Sequence, residues 1–243
     1  MSESRRRRSV SQTHLLNLLS AQLVEQHVEA PAQVVDLGGG TGGIATALAD
    51  LGHHVTVIDP SPDALASLER RTAEAGLAGN VRGVQGDAND LVSIIGPAGA
   101  GVVVCHRVLE VVDSPADALS AMATVCRPGG FLSLLVSQRH SVVLTQALNG
   151  HIALARRTFS DPNRFQHDQI VALVRQAGFE VLATHGIGAI SDHVPEALVE
   201  SEPGAFTELY ALEAEISQDP TFRALAPVAH VFGRREANSS ASR

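Results

Sequence analysis

Residues 34–43, VVDLGGGTGG, put an aspartate and five glycines into one short stretch behind a β-branched run. Gly38, Gly40 and Gly43 spell G-x-G-x-x-G, while Gly38, Gly40 and Gly42 spell G-x-G-x-G. Such a loop lets a ligand come close to backbone amides, and that ligand can be a dinucleotide pyrophosphate or a phosphate-free cation. Asp36, two residues ahead of Gly38, bears on the choice. Its charge repels a pyrophosphate and attracts an ammonium or a sulfonium, although an aspartate there can also cap loop amides. Asp59 ends the next apolar run, where an acidic side chain can accept from both ribose hydroxyls of either ligand or form a turn before Pro60. Asp87, in QGDAND, is more selective. An acceptor there can take the exocyclic amine of adenine while the Ala88 amide serves a ring nitrogen.

These groups need elements to carry them. Short β-branched runs alternate with stretches of helical period, the pattern of a parallel sheet wrapped by helices. QVVDLG (33–38), HHVTVID (53–59), VRGVQGD (81–87), GVVVCH (101–106) and RPGGFLSLLVS (127–137) read as strands one to five. A sixth strand follows Gly178, and APVAHVFGRR (226–235) makes the last. Ser61-Pro62 and Ser114-Pro115 are helix starts, and Gly52, Gly76 and Gly178 are stops. The fold class expected is α/β, a doubly wound, seven-stranded, mostly parallel sheet with its ligand at the carboxyl ends of strands one to four. Stretches 137–166 and 191–225 are less regular, the second acidic and carrying Pro195, Pro203 and Pro220; they read as inserts after strands five and six that recognise a second substrate. The domain is expected to span 13–235, between a disordered basic tail at 1–12, with Arg5 to Arg8, and a low-complexity tail at 236–243.

Composition excludes several chemistries. A net charge of −8 and an isoelectric point near 5.7 argue against a chain built to coat nucleic acid. There is no lysine, so a Walker-A phosphate lysine, a Schiff base and a lysine general base are all absent. Cys105 and Cys126 stand in apolar contexts without C-x-x-C spacing and read as small buried hydrophobes. None of the 11 histidines falls into H-x-x-x-H or H-E-x-x-H, and no metal is expected. No apolar run reaches membrane-spanning length, and the segment after the arginines is too interrupted for a signal sequence, so the expected location is cytoplasmic.

In this order and spacing, VVDLGGGTG, VIDPS, GDAND, VVCHRVLEVV and VCRPGGFLSLLV resemble the sheet motifs of class I S-adenosylmethionine-dependent methyltransferases, over roughly residues 33–136. The resemblance implies a Rossmann-like fold and S-adenosyl-L-methionine as methyl donor. It implies that Gly38, Gly39 and Gly40 line the methionine portion beside Asp36. Asp59 and Pro60 then lie at the ribose, Asp87 and Ala88 at the adenine, and His106 and Arg107 on the sulfonium side.

A narrower similarity rests on HRVLEVVDSPADAL, RPGGFLSLLVSQRHSVVLTQALNG, RRTFSDP, GIGAISDHVPE and APVAHVFGRR. These stretches resemble the tRNA 5-carboxymethoxyuridine methyltransferases, which esterify the carboxylate of a wobble nucleoside. A carboxylate is ionised at neutral pH and is its own nucleophile, so the site need only aim it at the methyl carbon. The resemblance implies tRNA as acceptor and cations to hold the carboxylate, for which Arg139, Arg156, Arg157 and Arg164 are the candidates. Ser137, Gln138, Gly188 and Ala226-Pro227 depart from that family's more basic and aromatic pattern, and Tyr210 is the one tyrosine in a chain without tryptophan. A small-molecule O- or N-methyltransferase is therefore the alternative. A nicotinamide oxidoreductase is opposed by Asp36 and Asp87, and a non-catalytic donor-binding module would share the same cradle.

Overall fold

The structure, a computed structural model, describes residues 9–161 and 164–237. Its seven strands are β1 (Gln33–Leu37), β2 (His54–Asp59), β3 (Val81–Gln85), β4 (Ala100–His106), β5 (Cys126–Ser137), β6 (Phe179–Ile187) and β7 (Val228–Arg235). They form one sheet in the order β3-β2-β1-β4-β5-β7-β6. All neighbours are parallel except β7, which runs antiparallel to both β5 and β6. The carboxyl ends of β1 to β6 therefore share one edge of the sheet, where β7 begins. The chain's winding reverses between β1 and β4, and that switch point opens a crevice at the same edge.

Helices α1 (Val10–Glu25), α2 (Gly43–Asp50) and α3 (Pro62–Glu74) cover one face of the sheet. There Leu19, Leu23, Leu48 and Leu68 pack on Val34, Val57, Val102 and Val104. Helices α4 (Leu91–Ile95), α5 (Pro115–Val125) and α8 (His167–Gln176) cover the other, where Leu119, Met122 and Ile170 meet Val35, Val103, Cys105 and Leu132. The inner strands β1 and β4 thus bury both of their alternating sets of side chains, as central parallel strands must, while the edge strand β3 stays half exposed. Both expected Ser-Pro starts cap their helices. The Ser61 hydroxyl accepts from the Ala64 amide and the Ser114 hydroxyl from the Asp117 amide, each at 3.2 Å.

Two expectations need correction. Residues 9–12, assigned to a disordered tail, are the capped start of α1: Ser9 accepts from the Gln12 amide and the Gln12 side chain answers to the Ser9 amide, a reciprocal capping box. Arg5 to Arg8 and residues 238–243 lie outside the described residues. The late stretches are also more helical than their composition suggested. They hold α6 (Arg139–Leu148), α7 (Ile152–Phe159), α9 (Glu196–Ser201), α10 (Ala205–Ile216) and α11 (Pro220–Leu225). Pro195 and Pro220 stand at the starts of α9 and α11, where a missing N–H costs nothing.

One buried carboxylate fixes the last helices to the sheet. Glu213 of α10 is fully enclosed and accepts from three successive amides beyond β6, Ala189 (2.7 Å), Ile190 (3.1 Å) and Ser191 (2.9 Å). Removing it strands those donors, at about 1–3 kcal/mol for each that water does not reach. Glu213→Ala is expected to lower the urea stability by about 3 kcal/mol, with Glu213→Gln lowering it less; an unchanged unfolding midpoint would contradict the clasp.

Candidate active site

The crevice is lined first by the loop leaving β1. The Gly38 amide donates to the Ile58 carbonyl (2.7 Å) and the Gly40 amide to Asp59 Oδ2 (2.9 Å), which ties the loop to the end of β2. Asp59 Oδ1 accepts from the Ser61 amide (2.9 Å). Asp59 is thus a loop clasp and a turn former at once, and each of its oxygens keeps a lone pair for a ligand. Pro60 is exposed, and its carbonyl accepts from Gln85 Nε2 (3.3 Å). Two contacts demand glycine. A Cβ on Gly38, at φ +69°, would collide with Val108 Cγ2, and a Cβ on Gly39 would collide with Asp36 Oδ2.

Asp36 lies beneath that loop, 2% exposed, and its Oδ2 is buried without a hydrogen-bond partner among the described residues. Burial, reinforced by the charge of Asp59, pushes its carboxyl up to about 7. Asp36 Oδ2 is closed to solvent, so a cation in the glycine cradle would act on it through its field. At the next strand end, exposed Asp87 turns its own loop by accepting from the Asn89 amide (2.7 Å), while the Asp87 amide donates to Asp90 Oδ2 (3.1 Å). Ala88 is buried, and its amide makes no hydrogen bond among the described residues.

His106 closes β4 and begins a ladder of polar groups that crosses the sheet under α1. Its Nε2 is 2.9 Å from Ser133 Oγ on β5, which is 3.0 Å from His230 Nε2 on β7. His230 lies beside His185 of β6, ring centroids 5.7 Å apart, and His185 Nε2 meets Gln218 Nε2 at 2.9 Å. Ser133 has one proton to give, so at least one of its two imidazoles must donate to it. Burial, followed by the Arg107 charge, pushes His106 down to about 3. Burial and its neighbours push His185 down to about 4 and His230 well below its ordinary value. His106 is therefore a neutral dipole committed to Ser133.

The turn after β4 is held in part by Glu110, which sequence reasoning passed over. Glu110 Oε1 accepts from the Ser137 amide (2.6 Å), joining that turn to the end of β5, and the Arg107 amide donates to Leu135 at a left-handed φ of +61°. Glu110 stands in VLEVV, where a lone acid among apolar residues was the available signal.

Comparison with known proteins shows the family. A family model described as a methyltransferase domain matches residues 35–134. The ubiquinone biosynthesis O-methyltransferase of Burkholderia pseudomallei is 30% identical over 179 residues, 72% of this chain and 76% of that protein. The chain belongs to the S-adenosylmethionine-dependent methyltransferases. The tRNA 5-carboxymethoxyuridine methyltransferase of Escherichia coli K12 is 24% identical over 211 residues, 84% of this chain and 80% of that one. Among solved structures, magnesium protoporphyrin IX methyltransferase from Synechocystis PCC 6803, with bound SAH, superposes with a TM-score of 0.63 at 15% identity, covering 93% of this chain and 84% of that one. The methyl donor is S-adenosyl-L-methionine.

The four candidate arginines of this methyltransferase do not gather in one place. Arg139 opens α6, donating from Nε to the Arg164 carbonyl and from Nη2 to Gln169 Oε1, each at 2.9 Å. Arg164 faces Asp161 at 3.8 Å, a partly exposed pair worth little. Arg156 and Arg157 are exposed in the last turn of α7, where no hydrogen bond or ion pair joins either to Arg139 or to the glycine loop. Arg139 instead shares a cleft with Arg223 of α11, which sequence reasoning had not singled out. Cys105 and Cys126 are buried thiols, their pKa values raised chiefly by burial. Among the described residues, no three His, Cys, Asp or Glu side chains gather as metal ligands, and no helix is long and apolar enough to cross a membrane.

The ladder sets an acid limit on the fold. His106, His185 and His230 remain neutral when folded but take up protons near 6.5 once unfolded. Their contribution is fully present above 6.5 and is lost as the pH falls below that value toward about 4. Asp36 runs the other way, its contribution being lost as the pH rises through about 7. Urea midpoints are expected to fall steeply below about pH 6.5 in the wild type and less steeply in His230→Gln, which can still bond Ser133. Parallel profiles for the two would contradict the ladder's role.

Proposed function

We propose that this methyltransferase esterifies a carboxylate of its acceptor, with the 5-carboxymethoxyuridine of tRNA as the first candidate. The observation that carries the reading is His106. The titratable side chain at the end of β4 is bonded to Ser133 and too weak a base to activate a hydroxyl, so an acceptor that arrives already ionised suits the site. Bound S-adenosyl-L-methionine supplies an electrophilic methyl carbon whose bonding pair leaves with sulfur, and a carboxylate nucleophile then needs no proton moved.

What remains for the protein is placement. Asp36 takes the donor's positive charge, the Gly38–Gly40 backbone lets the methionine portion approach, Asp59 accepts from the ribose, and Asp87 with the Ala88 amide receives the adenine. Holding nucleophile and methyl carbon in line can supply on the order of 7 kcal/mol. The likeness to the Escherichia coli enzyme, which extends beyond the matched family domain, supports tRNA as acceptor. A second reading, a small-molecule acceptor, draws on the cleft beside Arg139, whose volume of about 270 Å³ suits one small acid.

Two measurements test this reading. Asp59→Ala is expected to weaken calorimetric donor binding by about tenfold to a hundredfold, and an unchanged affinity removes Asp59 from the site. Protein incubated with donor and tRNA from cells lacking the gene is expected to add one methylene to 5-carboxymethoxyuridine by nucleoside mass analysis. Methylation of a small acid with unaltered tRNA would select the second reading, and methylation confined to hydroxyl or amine acceptors would overturn esterification.

A further inference from the structure

A cleft of about 270 Å³ opens beyond the end of β5, between α6, α8 and α11, outside the donor cradle. Its walls are fixed. Gln138, 3% exposed, follows β5 directly and donates from Nε2 to the carbonyls of Arg223 (2.6 Å) and Ala226 (2.8 Å), anchoring α11 to the sheet edge. Gly186 of β6 allows that anchoring, since a Cβ there would lie 2.7 Å from both Arg223 Cα and Ala226 Cβ. On the other side Gln138 bridges to Phe165, and the Arg139 amide donates to the Phe165 carbonyl at 2.9 Å.

Two half-buried guanidiniums line this cleft with hydrogen-bonding capacity to spare. Arg139 is oriented by two neutral acceptors, and its Nη1 has no partner among the described residues. Arg223 donates from Nη1 to Thr184 Oγ1 at 3.0 Å, leaving Nε and Nη2 without partners among the described residues. Neither forms an ion pair among the described residues. Asp168 is the one carboxylate lining the cleft, against two guanidiniums. His167, also lining it, holds a buried Nδ1 with no partner among the described residues. Guanidiniums positioned by neutral acceptors and not neutralised by acids are oxyanion receptors.

We propose that this cleft binds an oxyanion of the methyl acceptor, its own carboxylate or a phosphate that it carries, through Arg139 Nη1 and the free N–H groups of Arg223. That the anion belongs to the methyl acceptor rests on the proposed function; the anion site itself does not. Gln138 continues β5, which pairs with β4 and its terminal His106, so the cleft opens on the same carboxyl edge of the sheet as the donor cradle.

Inorganic phosphate and benzoate, titrated separately into the full chain, test the site. Histidine ring resonances report binding, and affinity for S-adenosyl-L-methionine is recorded alongside. At least one probe is expected to shift the His167 resonance saturably, with affinity reduced about tenfold or more in Arg139→Gln and in Arg223→Gln while donor affinity stays within about twofold. Arg223→Lys, which keeps the charge but not the fork, is expected to lose less than Arg223→Gln and guards against a folding defect. Preference for phosphate identifies a phosphate-bearing acceptor, and preference for benzoate identifies the acceptor's carboxylate. The proposal is overturned if neither probe binds the wild type, or if the double glutamine variant binds as tightly. Esterification without anion binding would remove the cleft and leave the proposed function, whereas anion binding without esterification would do the reverse.

Discussion

A carboxyl group held out of water beneath a glycine loop is the constraint on which the rest of the crevice depends. Asp36 cannot be ionised cheaply where it lies, because no donor among the described residues reaches its Oδ2 and Asp59 adds a second negative charge nearby. Its neighbour above must be glycine, since any side chain at Gly39 would fall on the carboxylate. The loop that supplies that glycine is in turn clasped to β2 by Asp59. A positive charge nearby would favour the ionised form of Asp36, and the family to which the chain belongs uses a positively charged donor.

Around this point the fold invests its remaining buried polar groups in rigidity. Glu110 fastens the turn after β4 to the end of β5, Glu213 fastens the loop after β6 to α10, and the ladder from His106 through Ser133 to His230 spans β4, β5 and β7. All three act at or near the carboxyl edge of the sheet, where the crevice opens. A transferase that works by alignment needs its walls fixed more than it needs a base, because misplacement of the acceptor by about an ångström can cost a hundredfold in rate.

The sheet was legible because its signals are local. Strands β1, β2 and β4 are β-branched runs that end on Leu37, Asp59 and His106, within one residue of the expected ends, and the Ser-Pro pairs at 61–62 and 114–115 cap helices by contacts within one turn. The misreadings have equally physical causes. Polar residues interrupt α1, and its stability comes from Leu15, Leu19 and Leu23 packing on the sheet, which a single stretch of sequence does not display. Pro195 and Pro220, in a stretch that read as irregular, stand at helix starts. The histidine ladder joins residues remote in sequence, and which arginines share a cleft depends on how α6 and α11 dock, so Arg223 could not be distinguished from the exposed Arg156 and Arg157 by type alone.

The central claim, that the cradle's unpaired carboxyl becomes a carboxylate when the cationic donor arrives, is tested most directly by counting protons. Donor binding measured calorimetrically at about pH 6, in two buffers of different ionisation enthalpy, should show release of most of one proton, since a carboxyl held near 7 is largely protonated in the free protein. The same titration of Asp36→Asn should show none. Equal heats in the two buffers for the wild type would contradict the account.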